Sequence, residues 1–75
     1  SPNPTNGSFS VQLQLEKTSP ITVVVMNALG QEVATHAANT SDLKQTFDLK
    51  SFPVGVYLVT VSVGNNSYTE KVVYY

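Results

Sequence analysis

The run Pro53-Val54-Gly55-Val56-Tyr57-Leu58-Val59-Thr60-Val61-Ser62-Val63 limits the choice of fold more than any other part of the chain. Pro53 and Gly55 break the chain before it, Gly64-Asn65-Asn66 breaks it after, and β-branched and aromatic residues dominate between them, which is strand composition. A buried helix would not concentrate four valines and a threonine between residues 56 and 63. At period two, Tyr57, Val59, Val61 and Val63 form a wholly apolar face, while Val56, Leu58, Thr60 and Ser62 form a face that is apolar over its first half. A strand covered on one face and half covered on the other belongs inside a sheet, with a partner on each side.

Size and composition narrow what can surround it. A chain of 75 residues makes one small domain, burying only about 60% of the surface its unfolded form exposes. Without cysteine it has no disulfide, and one histidine cannot build a structural zinc site, so the hydrophobic core must suffice. Lack of cysteine fits any redox compartment, a bacterial envelope included. Four lysines, no arginine and five carboxylates give a net charge of −1 without any like-charge run. That excludes the concentrated basic face that nucleic acid or anionic lipid requires. No apolar stretch reaches the roughly eighteen residues of a membrane span, so membrane insertion is not expected. The opening Ser1-Pro2-Asn3-Pro4 has no initiator Met and no signal-peptide pattern, and reads as part of something larger with its targeting information upstream.

Taken in order, residues 1–7 are turn and linker chemistry and mark a domain border, with residues 8–75 as a single domain. Phe9, Val11, Leu13 and Leu15 alternate with polar residues, one face in and one face wet. Lys17-Thr18-Ser19-Pro20 is expected to end that strand, and Ile21 to Met26 to form another, interior one. Asn27-Ala28-Leu29-Gly30 suits a type I turn followed by a left-handed Gly30. A short strand near a sheet edge follows at Gln31 to about Thr35, then a polar loop over His36 to Asp42 and a short strand at Lys44 to Phe47. Asp48 to Gly55 is a compact connection in which Leu49 and Phe52 plug the core. Gly64-Asn65-Asn66 reverses the chain so that Tyr68 to Tyr75 pairs antiparallel with the Pro53–Val63 run. Five or six strands without helical periodicity predict an all-β antiparallel sandwich.

Catalysis finds no constellation. Glycine-rich phosphate loops and a nucleophile elbow are absent, and His36 reads as an exposed loop histidine. Asp42 and Asp48 read as solvated turn and strand-end carboxylates ahead of a glycosidase pair, which needs a cleft that so small a domain hardly offers, with a weak calcium site as a further alternative. Catalytic, cofactor-binding and metal-ligating residues are therefore all set at none, and the chain is not expected to be an enzyme. Tyr57, Tyr68, Tyr74 and Tyr75 suit strands whose rings pack and whose hydroxyls stay wet, ahead of a carbohydrate platform. Val72-Val73-Tyr74-Tyr75 is apolar at both parities, which requires either internal pairing or a partner that adds to the strand.

Together these motifs resemble the type A C-terminal sorting domains of the bacterial type IX secretion system, also called the Por secretion system. The resemblance runs through Pro2-Asn3-Pro4, Gly7 and Phe9, then Asn27, Leu29, Gly30, Gln31 and Val33. It continues through Asp48, Leu49, Phe52, Pro53, Gly55, Val56 and Tyr57 to Lys71-Val72-Val73. It departs at the end, where Tyr74-Tyr75 stands in place of the basic residues that often close the family's chains.

The resemblance implies an immunoglobulin-like antiparallel β-sandwich of about six or seven strands, fused behind a cargo protein and needing no cofactor. It implies delivery by the outer-membrane translocation machinery from the periplasm of a Gram-negative bacterium to the medium or cell surface. A cysteine-peptidase sortase then cuts upstream of the domain, and the cargo is released or joined to lipopolysaccharide. The residues expected to be read for sorting are Lys71, Val72, Val73, Tyr74 and Tyr75, within a surface running from Val63. The alternative from another class is an immunoglobulin-like accessory module that binds polysaccharide or a cell-surface partner.

Overall fold

A computed structural model describes residues 6–75. Its four strands are β1 (Ser8–Asn27), β2 (Glu32–Asp48), β3 (Gly55–Val63) and β4 (Asn66–Tyr74). They form one sheet in the order β2-β1-β3-β4, antiparallel at every pairing. The valine-rich run is β3, an interior strand flanked by β1 and β4, as its two-faced apolar pattern requires. The described residues are therefore all-β, but with four strands in one open sheet, where the strand pattern predicts five or six and the family resemblance implies six or seven in a sandwich.

The difference in count comes from two segments that continue their strands. Lys17-Thr18-Ser19-Pro20 stays inside β1 as an irregularity: four residues, Leu15 to Thr18, stand opposite Ser41 between the pairs Gln14↔Asp42 and Ser19↔Thr40. Pro20 is tolerated because β1 pairs only with β2 there, its pairing with β3 starting at Ile21; a proline with one ladder partner need not forfeit a hydrogen bond. Residues 36–42, expected as a loop, are the middle of β2. Half-buried His36, Ala38 and Thr40 alternate with exposed Thr35, Ala37 and Asn39. An edge strand needs only one covered face, and pairing with Ile21 to Val25 outweighs its own weak strand composition.

Length then forces the shape. At about 3.3 Å per residue, the 20 residues of β1 would span about 66 Å if straight. The longest dimension of the molecule is 36 Å, so the β1–β2 ribbon doubles over at its irregularity. Its arm, Ser8–Gln14 paired with Asp42–Asp48, brings Phe9, Leu43 and Phe47 into one core with Ile21, Val23, Val25, Tyr57, Val59 and Val72. Phe9 and Phe47 are cross-strand partners whose rings stack with centroids 5.5 Å apart. Leu49, just beyond β2, closes the core, and half-buried Phe52 packs against it.

Backbone geometry at three points fixes the connections. In the β1–β2 turn the Gly30 N–H donates to the Asn27 carbonyl (3.0 Å), and Gly30 takes φ +84°, the left-handed value that a bulged hairpin turn needs. Before β3, the buried Tyr57 ring turns its hydroxyl back to donate to the Pro53 carbonyl, so this tyrosine does not leave its hydroxyl in water as expected from the sequence. At the start of β1, Gly7 has φ +124° and accepts a 2.6 Å hydrogen bond from the Leu49 N–H. A Cβ there would lie 2.9 Å from Cγ of Lys50 and 3.2 Å from Cε1 of Tyr74.

Gly7→Ala is therefore expected to cost about 1–3 kcal/mol, from strained φ and from displacement of the Tyr74 ring. Urea unfolding checks this; an unchanged midpoint would refute the close approach. Tyr57→Phe is expected to lose about 1 kcal/mol in the same measurement, the worth of one partly buried hydrogen bond.

Candidate recognition surface

β4 lies at the edge of the sheet, and its pairing with β3 assigns each residue to a face. Val72 is opposite Tyr57 and Tyr74 opposite Gly55, on the core side, and Val72 is completely buried (0% exposed). Lys71 is opposite Leu58 and Val73 opposite Val56, on the outer side. Tyr75 follows β4 and is 71% exposed. Of the five residues expected to be read, Lys71, Val73 and Tyr75 thus face outward, whereas Val72 holds the strand to the core and Tyr74 lies on Gly7. No single face presents all five to a partner while the domain stays folded.

The outer face at this end of the sheet is apolar. Leu29 (85% exposed), Val54 (66%) and Val56 line one cleft of about 280 Å³, together with Asn27, Ala28, Pro53, Gly55 and Tyr57. Val56 continues the surface to its partner Val73. A small domain seldom leaves aliphatic side chains of this size clustered in water without a use for them. The turn that carries Leu29 is rigid. Asn27 Oδ1 accepts from the N–H groups of Leu29 and Gln31 (3.0 Å each), and Asn27 Nδ2 donates to Gln31 Oε1 (2.9 Å).

The other motif residues serve the fold around this end. Phe9 and Leu49 are core. Asp48 Oδ1 accepts from the Lys50 N–H (2.9 Å), and the Phe52 N–H donates to the Leu49 carbonyl (2.8 Å), which makes the connection to β3 compact. Pro2, Asn3 and Pro4 lie outside the described residues. From the sequence, Val54 is expected only as part of the connection into the valine-rich run, and Leu29 only as a motif residue, neither of them at an exposed apolar surface. The signal was present in both cases, since an aliphatic side chain at a turn position has no strand face to hide in.

His36, expected in a mobile loop, sits half-buried in β2 opposite Val23. Asp42 and Asp48 are six residues apart on one extended strand, about 20 Å, and cannot share a calcium ion. No three His, Cys, Asp or Glu side chains of the described residues come together. An open groove of about 370 Å³ runs between Val11 and Gln12 on one side and Tyr68 to Glu70 on the other, over Val59 and Val61. Its polar lining is Gln12, Tyr68, Thr69 and Glu70. The exposed tyrosines do not form a platform: Tyr68 and Tyr75 are seven residues, or about 23 Å, apart along the β4 direction.

No curated protein gives a significant match to the chain. A family model described as "Secretion system C-terminal sorting domain" matches residues 2–75, spanning all four strands and both turns that shape the apolar end. The chain belongs to the family of C-terminal sorting domains of the type IX secretion system.

Proposed function

We propose that this domain is the folded address of a cargo protein attached at its N-terminal side. The type IX outer-membrane machinery reads it, and a sortase then removes it so that the cargo is released or fixed at the surface of a Gram-negative cell. The observation that carries the reading is the division of labour within β4. Val72 locks the strand into the core, while Lys71, Val73 and Tyr75 present one cation, one aliphatic group and one aromatic ring outward. Recognition by side chains alone tolerates such a mixed surface, and no chemistry on the domain is needed.

The finer architecture belongs to the same proposal. The doubled-over ribbon lays a two-stranded arm against the core side of the wider sheet, and the Tyr57 hydroxyl bonded to the backbone four residues upstream resembles the tyrosine corner of immunoglobulin-like sandwiches. Both features support descent from an immunoglobulin-like sandwich in which two long bent strands each do the work of two short ones.

Removing Lys71 to Tyr75 outright would also delete Val72 and the Tyr74 ring, so retention of the cargo would report unfolding as much as lost recognition. The sharper test replaces only the outward residues. Ser1–Tyr75 is fused behind a periplasmically exported fluorescent reporter, with and without Lys71→Ala, Val73→Ser and Tyr75→Ala together. In a type IX-competent strain the triple variant is expected to lose at least about tenfold in export, equivalent to about 1.4 kcal/mol of recognition, with its thermal midpoint nearly unchanged. Normal export of that variant would refute the reading of β4. Retention of the unmodified fusion in competent and deficient strains alike would favour the accessory binding module.

A further inference from the structure

We infer that the outer face of the wide sheet is self-complementary and joins two copies of this chain, face to face, in a weak twofold dimer. The inference goes beyond the sorting role proposed above and does not depend on it.

The strand pairings line up the side chains on the face turned away from the core. One row runs across all four strands: Glu32 on β2, Met26 on β1, Leu58 on β3 and Lys71 on β4. Its middle is apolar and half-buried, and its two ends are exposed opposite charges on the two edge strands. The next row, Thr69, Thr60, Val24 and Thr35, is uncharged. On the other side Val73 and Val56 lead to the exposed Leu29. The arm of the ribbon covers the opposite face of the sheet, so this one carries apolar side chains where an outer face is normally polar.

Symmetry decides what can cover it. A twofold axis that lies between two such faces and runs along the strands sets Lys71 of one copy over Glu32 of the other, twice, and Leu58 over Met26. It also brings Val73 over the Leu29 turn of the other copy. An axis running across the strands sets Lys71 over Lys71 and Glu32 over Glu32. Charge complementarity therefore selects the first arrangement, whose sheets are aligned to within about 30°, as in a sandwich. Packed sheets lie about 10 Å apart, a gap that a lysine and a glutamate side chain span between them. Such rim pairs fix orientation more than they add strength, and the apolar middle supplies the burial. Four strands about 4.8 Å apart and three rows about 6.6 Å apart make a face of about 400 Å² with side-chain margins, half of what a standard interface takes from each partner. The dimer is therefore weak, with a Kd of about 10–100 μM.

Sedimentation velocity tests this on Ser1–Tyr75 at low salt. Between about 5 and 500 μM the chain is expected to pass from monomer to dimer. Either single reversal, Glu32→Lys or Lys71→Glu, turns both ion pairs into like-charge contacts and is expected to weaken the dimer about tenfold. The double reversal E32K/K71E keeps the net charge, restores both pairs and is expected to return association to within about twofold of the unmodified chain. Both positions are exposed, so the thermal midpoints are expected to stay unchanged. Met26→Glu, at the middle of the face, is expected to abolish the dimer. A chain that stays monomeric throughout overturns the inference, as do single reversals without effect or a double reversal that fails to restore. Association that survives Met26→Glu overturns it in favour of pairing along the open edge of β2. Lys71 and Val73 are also among the residues proposed to be read for sorting, and for that reason the readout is association rather than export. A monomeric domain that is exported counts against the dimer alone, and a dimer that is not exported counts against the sorting role alone.

Discussion

The structure depends on a mismatch between strand length and molecular size. A 20-residue strand paired to one of 17 residues would make a flat ribbon with too little apolar area on either face to offset the entropy of ordering it. Doubling over at Leu15 to Thr18 turns the ribbon into its own cover. Odd-numbered residues point inward on both sides of the bend, so Phe9 meets the same core as Ile21, Val23 and Val25. Without the bend, the arm and the wide half of the sheet would each expose a hydrophobic face. With it, a chain without cysteine obtains a continuous core, which β3 then widens through Tyr57 and Val59.

The same fold draws most of the motif-bearing segments of the chain to one end. The β1–β2 turn, the connection before β3, the last rung of β4 and the start of β1 all lie there, because β3 begins where β4 finishes and Asn27 pairs with Tyr57. Local hydrogen bonds make that end stiff: Asn27 braces one turn, Asp48 and Leu49 brace the connection, and Tyr57 ties itself to Pro53. Rigid presentation suits a surface that must be recognised, since less conformational freedom is lost when the partner binds.

The two-faced pattern of β3, the alternation of β1 and the Asn27–Gly30 turn were readable because each is a local signal: β-branched content, period two, and a glycine at a left-handed position. The closing pairing of β4 on β3 was readable for the same reason. What the sequence did not reveal was continuity. Pro20 and the polar stretch from His36 to Asp42 carry local breaker chemistry, and only tertiary pairing with Ile21 to Val25 keeps them extended. The split within the tail was hidden differently. Val72 and Val73 are the same residue type, and only the register with Tyr57 and Val56 shows that one is core and the other is surface.

That register makes recognition conditional on folding. Lys71 and Val73 share the outer face, with exposed Tyr75 following them, only while Val72 is seated opposite Tyr57 and the Tyr74 ring rests on Gly7. An unfolded tail of identical composition would offer the same side chains without their common direction, and would lack the aliphatic surface that Leu29, Val54 and Val56 place beside Val73. Under the proposed reading of β4 such an address carries its own test of integrity, because the residue that secures the strand alternates along it with the residues proposed to be read. Weakening the core then loosens the address in proportion to the fraction of molecules in which Val72 has left its site, which couples delivery to the stability of a domain too small to have much to spare.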